Sequence, residues 1–149
     1  MISRILLSLS LVVVLGGAIT QVRGGSVEDL PLPVVTIHST GDVSRGNTGS
    51  FVLSMNVPLM VGGIYVNFTV GGTAIPGVDY VAVVSPAYIG RSGYGTILIK
   101  TLPNPRGSAD RQSYSVVVTL KTGAGYTLGA TSSSATMWIK PQCGNCTAP

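Results

Sequence analysis

The stretch VGGTAIPGVDY, Val70 to Tyr80, decides how this chain is read. It follows a clean alternating run in which Ile64, Val66, Phe68 and Val70 are interleaved with Tyr65, Asn67 and Thr69. A repeat of two residues places one set on each face of a strand. Val70 ends that alternation. Gly71 and Gly72 permit the positive φ that a tight strand exit needs. Pro76-Gly77 is a second turn signal, proline fixing φ and glycine supplying freedom. Asp79 closes the loop before Tyr80 starts another extended piece. The segment therefore reads as a strand leaving a sheet through a structured loop.

The same two-residue period runs outward in both directions. Val35 and Ile37 alternate with Thr36 and His38. Phe51, Leu53, Met55 and Val57 alternate with Val52, Ser54 and Asn56. Ile97 and Ile99 flank Leu98, and Tyr114, Val116, Val118 and Leu120 form another face. Met137 and Ile139 alternate with Trp138 and Lys140. Each run buries one face and wets the other, as antiparallel sheets do. The runs are separated by turn-forming clusters such as MVGG, PNPRG and KTGAGYTLG. A single sheet would leave its apolar face in water, so two sheets packed face to face are expected. The fold class is all-β: an immunoglobulin-like, two-sheet antiparallel β-sandwich of about seven strands.

The central motif resembles the Calx-beta module. That family shows a strand of the type V-x-Y/F-x-T/V, then G-T-A, then G-x-D-Y. Here these elements read VNFTV (Val66 to Val70), GTA (Gly72, Thr73, Ala74) and GVDY (Gly77, Val78, Asp79, Tyr80). GSFVLSMNVPL, Gly49 to Leu59, looks like the family's second strand and its Pro-Leu turn. YSVVVTL followed by GAGYTLG, Tyr114 to Gly129, looks like its late strand and loop. ATMWIK, Ala135 to Lys140, looks like the closing strand. The resemblance covers roughly residues 34–140 and implies a seven-stranded sandwich. It also implies where calcium would bind in members that use it: an acid after the first strand, the Asp of G-x-D-Y, and acids around a later edge strand.

Only Asp79 clearly carries over. The early loop GDVSRGNTGS offers Asp42, but Arg45 or its neighbours stand where an acid is usual. The late loop LPNPRGSADRQS offers Asp110 beside Arg106 and Arg111. Calcium takes six to eight oxygen ligands, usually several carboxylates. One or two aspartates among arginines make a poor cation site. No metal site is expected; Asp79, Asp42 and Asp110 are the candidates for a weak one. Otherwise Asp79 caps loop N–H groups and holds the turn. No cofactor is expected.

The 149-residue chain opens with features of export. Arg4 precedes an apolar run, Ile5 to Leu15, and Gly16-Gly17-Ala18 supplies small residues for cleavage after Ala18. The alternative is an uncleaved anchor, although the run is shorter than the roughly 20 residues of a spanning helix. The expected organisation is a signal peptide at 1–18, an extended lead-in at 19–33, the sandwich at 34–140 and a cysteine-containing tail at 141–149. The chain has five acids and nine Lys and Arg, for a net charge of +4, so its basicity reflects scarce acids. The basic residues are scattered and not interleaved with aromatics, which excludes a nucleic-acid footprint.

The remaining chemistry is sparse. His38, the one histidine, sits on a polar strand face with no signposted serine and acid for a triad. Neither a GxSxG elbow nor a P-loop lysine accompanies the glycine groups GRSGYG and GAGYTLG. Cys143 and Cys146, in QCGNCTAP, are expected to form a local disulfide or a bond to a partner chain. Two N-x-T sequons, Asn67-Phe68-Thr69 and Asn145-Cys146-Thr147, are short patterns of a common kind and are read as chance matches. The first reads as lying within a strand, a poor acceptor position.

The expectation is a non-catalytic, secreted or cell-surface module that works in structure or adhesion through protein partners or self-association. The alternatives are a subunit of a filament or membrane-associated complex, held by strand addition or by residues 1–19 as an anchor, and a weak calcium-binding module.

Overall fold

The computed structural model describes residues 31–59, 62–103, 106–107 and 109–142. The expected signal peptide, most of the lead-in, Cys143 and Cys146, and the second sequon lie outside these residues. The described chain is all-β. Its elements are β1 (Val34–Ser39), β2 (Val43–Ser44), β3 (Thr48–Met55), β4 (Ile64–Val66), β5 (Phe68–Gly71), β6 (Ala87–Ile89), β7 (Tyr94–Lys100), β8 (Tyr114–Leu120), β9 (Thr127–Leu128) and β10 (Ser134–Lys140).

Two four-stranded sheets, ordered β7-β3-β1-β9 and β2-β10-β8-β5, face each other, and β4 and β6 form a separate ribbon. The inward residues are those the alternation picks out. Val35 and Ile37, Phe51 and Leu53, and Ile97 and Ile99 come from the first sheet. Phe68, Val116, Val118, Met137 and Ile139 come from the second. All of these are buried, and each large aliphatic side chain removed from water contributes about 1.5–3 kcal/mol. The residues between them point outward: His38, Leu98 and Trp138 are exposed.

Four features differ from the sequence reading. The long strands pair antiparallel, but the two-residue strands β9 and β2 pair parallel with β1 and β10. These are short returns of loop backbone to a sheet margin, too brief to show a period. The run from Ile64 to Val70 is two strands. It breaks at Asn67, with β4 pairing β6 and β5 pairing β8. Both halves keep the same inward phase, so periodicity alone hides the break. Val57 is not part of the buried face, because β3 ends at Met55 and Val57 is 55% exposed. Finally, β6 has only three residues and leaves no readable alternation of its own.

Candidate functional site

The loop after β5 is clamped to the start of β8. Thr73 N–H donates to Ser115 Oγ at 3.1 Å, Ser115 N–H donates to Thr73 Oγ1 at 2.8 Å, and Ala74 N–H donates to the Ser115 carbonyl at 2.9 Å. Gly72 makes this approach possible. Its φ is +109°, and a Cβ there would collide with the Ser115 carbonyl oxygen. Gly77, at φ +81°, turns the chain back so that its N–H donates to the Tyr80 carbonyl at 2.8 Å. Tyr80 and Ala74 are buried beneath the loop. The Gly72, Thr73, Ala74, Gly77, Asp79, Tyr80 set therefore acts as one structural unit.

That unit delivers Asp79 to the interior, with its side chain 0% exposed. Asp79 Oδ2 accepts from Ile75 N–H at 2.8 Å, which closes the loop on itself. Arg106 grips the same carboxylate with two bonds, Nε to Oδ1 at 2.9 Å and Nη2 to Oδ2 at 2.8 Å. Arg45 Nη1 adds a third, to Oδ1 at 3.1 Å. Arg45 is itself 2% exposed and reaches Asp110 Oδ2 through Nη2 at 3.3 Å. Tyr114, at the start of β8, lies under both guanidinium groups, 5.2 Å from Arg45 and 4.3 Å from Arg106. Two arginines and two aspartates thus neutralise each other around one aromatic ring. Arg45 Nε is the one buried polar side-chain atom without a partner among the described residues.

Burial alone would raise the Asp79 pKa. The Arg106 bonds, the Ile75 N–H and the Arg45 bond outweigh it and hold the carboxyl at about 2. Arg106 is shifted upward, chiefly by its bonds to Asp79. The carboxylate stays ionised because charged donors and a backbone N–H surround it.

The three aspartates singled out from sequence do not share a site. Asp79 and Asp110 are linked through Arg45. Asp42 stands apart, accepting from Trp138 N–H at 3.1 Å and pairing with Lys140 at 2.8 Å. Lys140 and the Trp138 N–H lower the Asp42 pKa. No group of three or more His, Cys, Asp or Glu side chains among the described residues is placed to hold a metal ion. The residues present do not fit a divalent cation. Guanidinium groups take up the oxygens of Asp79, and a calcium ion placed beside them would meet two fixed positive charges.

The sequence reading finds Asp79, and it notes Arg45 and Arg106 only as poor neighbours for a cation. It misses that both arginines bind Asp79, and that Tyr114 belongs to the cluster. Sequence separations of 34 and 27 residues leave no local signal for these pairs. His38 is exposed on β1, opposite Val52, with no hydrogen bond to a serine or aspartate among the described residues.

A second feature is a surface. Tyr65 and Tyr88 face each other across the β4–β6 ribbon, ring centroids 5.2 Å apart and tilted by 51°. Tyr88 also lines an open groove of about 370 Å³ with Val84, Pro86, Thr96 and Leu98. Tyr65 is 66% exposed and Val84 85%, and Tyr88, Tyr94 and Leu98 are at least half exposed.

No family model and no curated protein sequence matches this chain. Solved structures do. The crystal structure of the calcium binding domain CBD12 of CALX1.1 matches with a TM-score of 0.53 at 13% identity, over 71% of this chain. That of CBD12 from CALX1.2 matches with a TM-score of 0.55 at 14% identity, over 72%. Each match spans 44% of the longer chain, under half its length. The apo-form Calx CBD1 domain matches with a TM-score of 0.50 at 13% identity, over 73% of this chain and 98% of that one. At such identities the likeness speaks for architecture alone: the chain has a Calx-beta-like fold.

Proposed function

We propose that this protein is an exported, non-catalytic β-sandwich module that serves cell-surface structure or adhesion through protein–protein contacts. The observation that carries the reading is the cluster of exposed apolar side chains around the β4–β6 ribbon and the outer face of β7. Isolated exposed hydrophobics are ordinary, but a contiguous group beside a groove marks an interaction surface. Tyrosines supply large, rigid contact area at low entropic cost. Leu98 and Val84 add exposed apolar area at the groove. The Asp79 cluster supports the same reading from inside the molecule. A carboxylate already saturated by arginines makes a fixed structural pin, which leaves the surface, not an ion, as the working part. The exported placement rests on the character of residues 1–18.

Replacing Tyr88 and Leu98 together by serine tests the proposal in the cells that make the protein. Both side chains point to solvent, so the fold should survive. The expected result is loss of the protein from the surface fraction with an unchanged melting temperature. Unaltered retention of the double variant would contradict the proposal.

A further inference from the structure

The structure changes the standing of the first sequon. Asn67 does not lie inside a strand. It is the single residue between β4 and β5, where the chain passes from the ribbon to the second sheet. Its backbone is tied on both sides: its N–H donates to Tyr126 Oη at 3.1 Å, and its carbonyl accepts from Lys121 N–H at 2.7 Å. Tyr126 Oη in turn donates to the Lys121 carbonyl at 2.6 Å. No described residue hydrogen-bonds the Asn67 side chain, and Asn67 is exposed. The sequon follows the strand period. Phe68 is buried, while Asn67 and Thr69 both face water. The amide and the hydroxyl two residues on lie on the same exposed face, the hydroxyl donating to the Thr119 carbonyl at a long 3.5 Å, and the apolar residue between them is the one the core takes.

We propose that Asn67 is a site of N-linked glycosylation. The donor class is an oligosaccharide joined through a diphosphate to a lipid. The Asn67 amide nitrogen forms a C–N bond to the anomeric carbon of the first sugar. The bond from that carbon to the diphosphate oxygen breaks, the lipid diphosphate leaves with the electron pair, and the amide gives up one proton. No oxidant or reductant is needed. The finished sandwich accommodates the product, because the sugar extends into solvent and, among the described residues, every hydrogen bond of Asn67 is made by its backbone. A glycan here would also stand at the start of β5, an edge strand of the second sheet. Exposed sheet edges invite pairing with other chains, and bulk beside them blocks it. On a chain with only 9% charged residues, that hydration is otherwise scarce.

The inference rests on the export reading, and the test separates the two. Protein taken from the cells that make it is digested and the peptide containing Asn67 is weighed, with the N-terminus read on the same sample. The expected result is a sugar mass increment on that peptide, absent from an Asn67→Gln variant whose melting temperature is unchanged. Unmodified Asn67 overturns the proposal. If the N-terminus then shows cleavage near Ala18, the export reading stands alone; if residues 1–18 are retained and the protein stays inside the cell, both fall.

Discussion

Asp79→Asn removes one charge from the centre of the arginine cluster while keeping the shape of the side chain. The amide oxygen can still accept from Ile75 N–H or from one arginine. It cannot neutralise two. Arg106 is 28% exposed and can turn its charge toward water, but Arg45, at 2%, cannot. Arg45 would keep its 3.3 Å contact to Asp110 and the face of the Tyr114 ring, with its Nε already unpartnered. Breaking a buried ion pair by removing one member costs about 3–5 kcal/mol, mostly the penalty of the stranded charge. For a domain of this size each kcal/mol lowers the melting temperature by roughly 4 °C or more, so the expected fall is about 10–20 °C. Thermal unfolding followed by far-ultraviolet circular dichroism measures it. A fall of less than about 3 °C would refute the reasoning, since it would mean that the guanidinium groups find water as readily as they find Asp79.

The other predictions concern acid, cations and packing. Because the folded Asp79 pKa, about 2, lies below its ordinary 3.8, its contribution is fully present above pH 3.8 and is lost as pH falls through about 2. The whole contribution corresponds to roughly 2.5 kcal/mol, of which about 2 kcal/mol is lost between pH 5 and pH 2, and urea unfolding at these two pH values should show a loss greater by that amount in the natural chain than in Asp79→Asn. Melting temperatures in millimolar calcium and in chelator should agree; a calcium-dependent rise would show that the folded protein binds the cation. Gly72→Ala puts a side chain at φ +109° against the Ser115 carbonyl, and should destabilise by about 1–3 kcal/mol or more in chemical denaturation. Met137→Ala, in the fully buried core, should cost about 2–5 kcal/mol in the same assay.

The architecture was legible wherever a strand was long enough to show its period. Val35, Leu53, Ile99, Val118 and Met137 are inward in the sequence and buried in the structure, because burying one face is what fixes a register. Short pieces escaped: β2 and β9 have two residues each and β6 has three, fewer than a period-two pattern needs to declare itself. The split at Asn67 escaped for a different reason. One extended residue changes sheets without changing the phase of its neighbours, so the exposed sequon looked like strand interior. In the site, local chemistry was readable and long-range pairing was not. Gly72 and Gly77 announced a loop, and Asp79 announced a polar anchor within it. Arg45 and Arg106 come from loops far away in sequence, and only the closing of the two sheets brings their charges onto one carboxylate. The apolar surface was unreadable in advance, because Tyr65, Tyr88 and Leu98 meet only through strand pairing and the groove beside β7.

The native mass of the protein released gently from the cells that make it, compared with that of the Tyr88→Ser, Leu98→Ser double variant, tests the central claim most directly. The account predicts that the natural protein runs with partner chains or with further copies of itself, above the mass of one chain, and that the double variant runs as a single folded chain. A natural protein that runs as one chain, or a double variant that keeps the full assembly, would contradict it.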